Sequence, residues 1–105
     1  MADTLTIFQP GTSLGAGYTA PSARIVTAAS VYGAGGGSSL TAAFVHSGGS
    51  AGEATMQYRA LVVPDGGESP ILDAYLNVPL AKGDAIHFLA ADAATLTVTI
   101  GTRDA

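Results

Sequence analysis

The chain has no cysteine and no tryptophan, and only 11% of its 105 residues are charged. Without cysteine there are no disulfides, zinc–thiolate centres or thiol nucleophiles, so packing, pairing or partners must hold so small a domain. The charged fraction is less than half the roughly 25% usual in soluble domains, which leaves a surface made largely of Thr, Ser, Ala and Gly. Such a surface suits a protein that packs against neighbours in an assembly. Four basic residues against eight acidic ones, for a net charge of -4, give no electrostatic footprint for nucleic acid. No run approaches the roughly 20 apolar residues of a membrane-spanning helix. Met1-Ala2-Asp3 has neither the basic nor the hydrophobic character of a signal peptide, so synthesis in a cytosol and no membrane partner are expected.

What the chain does have is apolar content. Hydrophobic residues make up 48% of it, too many for disorder, and the length suits one domain burying roughly two-thirds of its unfolded surface. The apolar residues recur at period two between glycines and prolines, and never at helical spacing over a useful length. In Thr95-Leu96-Thr97-Val98-Thr99-Ile100, the Leu, Val and Ile point to one face and the threonines to the other. Leu5 and Ile7 alternate with Thr4 and Thr6 in a first short strand. Residues 10–21, with three glycines and two prolines, read as a long loop.

Residues 22–32 then predict a strand with Ile25, Ala29 and Val31 on one parity. The glycine run 33–37 predicts a hairpin tip, followed by a strand with Leu40, Ala42 and Phe44 on one face. A second reversal over 47–52 leads to Met56, Tyr58, Ala60 and Val62, and Pro64-Asp65-Gly66-Gly67 has turn chemistry. Residues 71–77 read as a strand burying Leu72, Ala74 and Leu76. A turn over 81–84 leads into Ile86, Phe88 and Ala90, and a last hairpin over 91–93 into the Thr/Leu strand. Seven to eight strands joined by turns too short for crossover helices predict an all-β, single-domain antiparallel β-sandwich, jelly-roll-like or Ig-like. Within that one domain, residues 1–21 form an N-terminal strand or arm with its loop, and residues 22–105 the sandwich body.

Three motifs suggest chemistry and lack its context. Gly48-Gly49-Ser50-Ala51-Gly52 fits the G-x-S-x-G pattern of serine hydrolases, which needs a strained strand-to-helix turn; here another strand follows. Gly15-Ala16-Gly17-Tyr18-Thr19-Ala20 fits a nucleotide fingerprint that needs a helix N-terminus, and Pro21 follows it instead. Asp84 and His87 lie an odd number of positions apart, so a regular strand sends them to opposite faces, and Asp84 reads as a turn cap. Asp65, Glu68 and Asp92 have no EF-hand-type spacing for calcium. Tyr18, Tyr32, Tyr58 and Tyr75 read as sheet-margin or subunit-contact residues with hydroxyls reaching water, too few for a sugar-stacking platform. The expectation is a non-enzymatic protein with no catalytic residue, cofactor or metal.

Arg24-Ile25-Val26-Thr27-Ala28-Ala29-Ser30-Val31-Tyr32, Leu40-Thr41-Ala42-Ala43-Phe44-Val45, Leu80-Ala81-Lys82-Gly83-Asp84-Ala85-Ile86-His87-Phe88-Leu89-Ala90 and Leu96-Thr97-Val98-Thr99-Ile100 give the chain a likeness to a known group. In strand order and in the Gly-Asp-x-Ile turn it resembles small β-sandwich virion proteins of tailed phages, namely capsid decoration or cement proteins and neck or tail accessories. Gly33 departs from the Asn that such proteins often carry after the first long strand. The resemblance implies a structural role in a virion assembled in the host cytoplasm. Implied partners are further copies of the chain, as a homo-oligomer taken to be a trimer, and the major capsid protein or another virion protein. Leu5, Ile7, Phe8 and Tyr18 are the candidate assembly contacts, and residues 4–9 are either an arm that adds a strand to a neighbour or the edge strand of their own sheet. The alternatives are a neck or tail accessory and a carbohydrate- or receptor-binding module.

Overall fold

The computed structural model describes residues 4–34, 37–50, 55–66, 70–92 and 95–105. Among these residues the strands are β1 (Thr4–Phe8), β2 (Gly15–Thr19), β3 (Arg24–Gly33), β4 (Ser38–Val45), β5 (Met56–Val63), β6 (Pro79–Leu80), β7 (Ala85–Ala90) and β8 (Leu96–Asp104). They form two four-stranded antiparallel sheets, sheet A in the order β1-β8-β3-β6 and sheet B in the order β2-β7-β4-β5. The first strand pairs with the last, the second with the seventh, the third with the sixth and the fourth with the fifth. A long hairpin nested in this way and folded over on itself is a jelly roll. The Ig-like order would set the first two strands side by side in one sheet, whereas β1 and β2 lie in different sheets.

The core lies between the inner faces and follows period two where the strands are regular. Leu96, Val98 and Ile100 of β8 face Ile86, Phe88 and Ala90 of β7, all at most 2% exposed. Leu40 and Ala42 of β4 complete this layer, and Phe44 is half-buried at its margin. Phe88 joins the two ends of the core: its ring centroid lies 5.3 Å from Phe8 and 6.4 Å from Tyr75. Among the described residues no helix is long and apolar enough to cross a membrane.

The alternation breaks at bulges, where an extra residue reverses which side chains point inward. In β3 the register to β8 shifts between Val26 and Ala28. Val26 is therefore buried on one side of the shift and Ala29 and Val31 on the other, while Ile25 turns outward. In β5 Ala60 has φ of 52°, and its N–H donates to Thr41 Oγ1 at 3.1 Å. Beyond it Leu61 and Val63 point inward, and Val62 is 74% exposed rather than core.

Four segments differ in kind from the sequence reading. The predicted long loop contains β2, whose Gly15–Thr19 strand is held by pairing with β7 rather than by its own propensity. Residues 71–77 are not a strand: Ile71 makes one bridge to Ser30, and a 3-10 turn at Asp73–Tyr75 buries Leu72 and Tyr75 and exposes Ala74. The segments after β3 and β7 are not hairpin tips, because β3 and β4 belong to different sheets, as do β7 and β8; both segments cross from one sheet to the other. Gly35, Gly36 and Ala93 of these predicted turns lie outside the described residues. The reversal before β5 does join hydrogen-bonded neighbours.

Candidate assembly face

Sheet A turns a face to solvent that carries almost no charge. On β1, Leu5 and Ile7 are 61% and 60% exposed, because Thr6 and Phe8 occupy the inward positions. Strand register extends these two into rows across the sheet. Ile7 lies opposite Thr99, Thr99 opposite Ser30, and Ser30 bridges to Ile71, which is 64% exposed. Leu5 lies opposite Gly101 and Gly101 opposite Ala28, while Thr97 lies opposite the exposed Tyr32. Arg103, opposite Ile25 at the end of β8, is the charged residue of these rows.

The bulge in β3 shapes this face. It turns both Thr27 and Ala28 outward, opposite Gly101, where an added Cβ would lie 3.2 Å from the Ala28 methyl and from Thr27 Oγ1. Glycine at 101 makes room for the doubled side chains. Beside them is a shallow hollow of about 240 Å³ lined by Thr27, Ala28, Ser30, Ile71 and Leu76. Neutral hydroxyls, methyl groups and four exposed large apolar side chains are the surface chemistry of an interface core, from which charge is depleted. Charged solvating surface is not built this way.

Phe8 and Tyr18, the other two candidate contacts, point the opposite way. Phe8 is half-buried against Phe88, and Tyr18 is 7% exposed with its hydroxyl 3.3 Å from Thr102 Oγ1. Thr102 also accepts from Arg24, the one buried cation among the described residues. Arg24 Nε donates to Thr102 Oγ1 at 3.2 Å, and Nη2 donates to the Thr102 carbonyl at 3.2 Å and to Thr4 Oγ1 at 3.0 Å. Nη1 pairs with the half-exposed Asp104 carboxylate. The guanidinium thus ties β3 to β8 and β1, its charge matched by Asp104 and its remaining contacts neutral. It borders a hollow of about 320 Å³ between the edges of β1 and β2, lined by Thr4, Thr6, Gly17, Tyr18, Thr19, Pro21 and Arg24.

The segments that suggested chemistry have structural places. Ser50 is exposed in the β4–β5 connection, between two strands of one sheet; Ala51 and Gly52 lie outside the described residues. Gly15–Thr19 is edge strand β2, so its glycines head no helix. Asp92 accepts from Ser38 Oγ at 3.1 Å, and Glu68 lies outside the described residues. Among the described residues no three of His, Asp and Glu gather as a metal would require. Tyr75 is not marginal: it is 1% exposed in the core, where its hydroxyl donates to Gln57 Oε1 at 3.0 Å and burial raises its pKa. Partial burial also raises the pKa of Tyr58, whose hydroxyl donates to Asp73 at 2.9 Å and accepts from the Ala74 N–H at 3.0 Å.

Asp84 caps the turn into β7. Its carboxylate accepts the Ser47 N–H on Oδ1 and the Ala81 N–H on Oδ2, both at 3.0 Å, with His46 Nδ1 3.8 Å from Oδ1. The two backbone donors, first Ser47 and then Ala81, hold its pKa below the ordinary carboxyl value, and the nearby His46 adds to them. A lowered folded-state pKa means that the contribution to stability is complete above the unfolded value of about 4 and is lost as pH falls through the folded value. Asp84→Asn is expected to lower the urea midpoint at neutral pH, since the amide can present an acceptor to only one of the two N–H groups. The difference from wild type should shrink below about pH 4. Denaturation curves of both proteins across this range check it, and a difference independent of pH would contradict the capping role.

No family model, characterised protein or solved structure matches the chain. The face itself therefore carries the functional argument. The sequence points to Leu5 and Ile7 and sets the threonines of β8 on the side away from the core. Tyr32 carries the signal of an exposed sheet-margin or contact tyrosine, whereas Ser30 and Ile71 carry none, because their row depends on the β3 register and on the bridge at Ile71.

Proposed function

We propose that this jelly roll is a non-enzymatic structural module that works by packing its uncharged sheet face against a larger assembly. In the finer form of this reading it decorates or cements the capsid of a tailed phage, or serves as a neck or tail accessory of the same virion. The observation that carries the reading is the row Ile7, Thr99, Ser30 and Ile71, which crosses sheet A without a charge. A protein that must occupy the same lattice position many times needs a broad neutral contact surface more than it needs a pocket. The likeness in strand order and in the Gly83-Asp84 turn points the same way.

Co-sedimentation with intact and with protein-stripped phage particles tests the proposal. The chain is expected to pellet with stripped particles and to saturate. Combining Thr99→Lys with Ile71→Lys places two charges on the face without touching the core and is expected to leave the protein in the supernatant with an unchanged far-ultraviolet spectrum. A wild-type chain that never pellets removes the virion reading, and a double variant that pellets like wild type removes this face.

A further inference from the structure

A β-sandwich has open sheet edges, and native folds protect them with short strands, proline, charge, bulges or a covering segment. Three of the four edges here carry such a device. β6 is two residues long and contains Pro79; beyond it residues 70–78 cover β3, through Asn77 N–H to the Val26 carbonyl at 2.8 Å and Leu72 N–H to the Ala29 carbonyl at 2.8 Å. β5 carries Arg59 and the left-handed bulge residue Ala60. β2 has a register shift between Ala16 and Tyr18.

Among the described residues β1 has none of these. Its five residues, Thr-Leu-Thr-Ile-Phe, pair with β8 in unbroken register from Thr4 opposite Thr102 to Phe8 opposite Val98, and they include no charge, proline or glycine. We infer that the free edge of β1 is closed in solution by β1 of a second copy, antiparallel about a two-fold axis at Thr6. The inference stands on the edge alone and does not depend on the virion reading.

The occupant is a second copy because the strand is complementary to itself. Pairing centred on Thr6 sets Thr6 against its own counterpart and Leu5 against the other copy's Ile7 on the outer face, twice over by symmetry. On the inner face Phe8 comes opposite the other copy's Thr4, at the mouth of the hollow between β1 and β2 that Thr4 and Thr6 line. No like charges meet. The two copies of sheet A become one eight-stranded sheet whose neutral outer face is continuous, with Leu5 and Ile7 of the two copies packed side by side on it. A two-fold contact of this kind closes at two copies and gives a dimer in place of the trimer expected from resemblance.

Light scattering of the full chain at high micromolar concentration is expected to give twice the 10.4 kDa chain mass. Leu5→Lys with Ile7→Lys sets like charges against each other at both outer pairs and is expected to yield a monomer with an unchanged spectrum, since both side chains are exposed in the single copy. Leu5→Lys with Ile7→Glu sets opposite charges there and is expected to restore the dimer. The chain has no cysteine, so Thr6→Cys provides a unique thiol. Facing residues of an antiparallel pair lie about 4.5–5.5 Å apart at Cα, within disulfide range, and mild oxidation is expected to link two copies covalently. A monomeric or trimeric wild type, a dimer that survives the double lysine variant, or a Thr6→Cys protein that does not cross-link would overturn the inference. Particle binding by a monomer would overturn it while leaving the proposed function intact.

Discussion

Replacing Phe88 by alanine is expected to cost about 3–5 kcal/mol, the range for removing a fully buried aromatic side chain. Phe88 is 2% exposed and is the ring through which Phe8 of β1 and Tyr75 of the 3-10 turn contact the centre of the sandwich. Each aromatic pair contributes about 0.5–1.5 kcal/mol beyond burial, and both are lost together. The surrounding layer does not easily collapse into the space, because Leu40, Ile86 and Val98 are themselves fully buried on paired strands. In a domain with a total stability of about 5–15 kcal/mol, the variant should be only marginally folded. A fall in Tm of roughly 15–30 °C is expected, checked by calorimetry alongside urea denaturation. A loss below about 1 kcal/mol would mean that Phe88 is not the junction described.

The second large effect is expected at a glycine. Gly37 has φ of +76°, and a Cβ there would lie 2.6 Å from the Val63 carbonyl oxygen and 2.8 Å from the Asp65 nitrogen. Alanine at 37 meets two separate penalties: about 1–2 kcal/mol for the left-handed backbone and about 1–3 kcal/mol for overpacking against main chain that cannot rotate away. Gly33 separates the two. Its φ is not in the positive region, yet its added Cβ would lie 2.4 Å from the Pro64 carbonyl oxygen. Gly33→Ala should therefore show the steric penalty alone and Gly37→Ala the larger sum, as measured by urea midpoints at equal slope. Equal losses at the two positions would remove the conformational contribution.

These two glycines also show where the sequence stops being informative. A glycine run between strands predicts a hairpin tip, since glycine reaches positive φ without penalty. Gly37 does so, but Gly33 is glycine because the end of β5 passes against it, and the segment crosses between sheets. Short connections look alike in sequence whether they join partners in one sheet or strands of two. The all-β class and the inward rows of β7 and β8 were legible because both strands keep strict period two. In β3 the same reading holds for Ala29 and Val31 but fails before the bulge at Ile25, and in β5 it fails from Ala60 onward, since a bulge switches the inward face without any apolar residue marking it. The face of sheet A was legible in its threonines and in Leu5 and Ile7. Its closure by Tyr32 and Ile71 depends on partners distant in the chain.

The nesting of strand pairs also governs how the chain can reach this structure. Among the described strands only β4 and β5 are hydrogen-bonded partners adjacent in sequence, and the pairs β3–β6, β2–β7 and β1–β8 enclose them in turn. Closing the loop between β1 and β8 from an open coil carries the largest entropy loss, and that loss shrinks once the inner pairs have gathered the chain. Folding is therefore expected to advance from the β4–β5 pair outward, at the unhurried rates of topologies dominated by distant contacts. β1 is expected to join last, so until it does the folding molecule presents β8, already paired with β3, open along the side that β1 will cover.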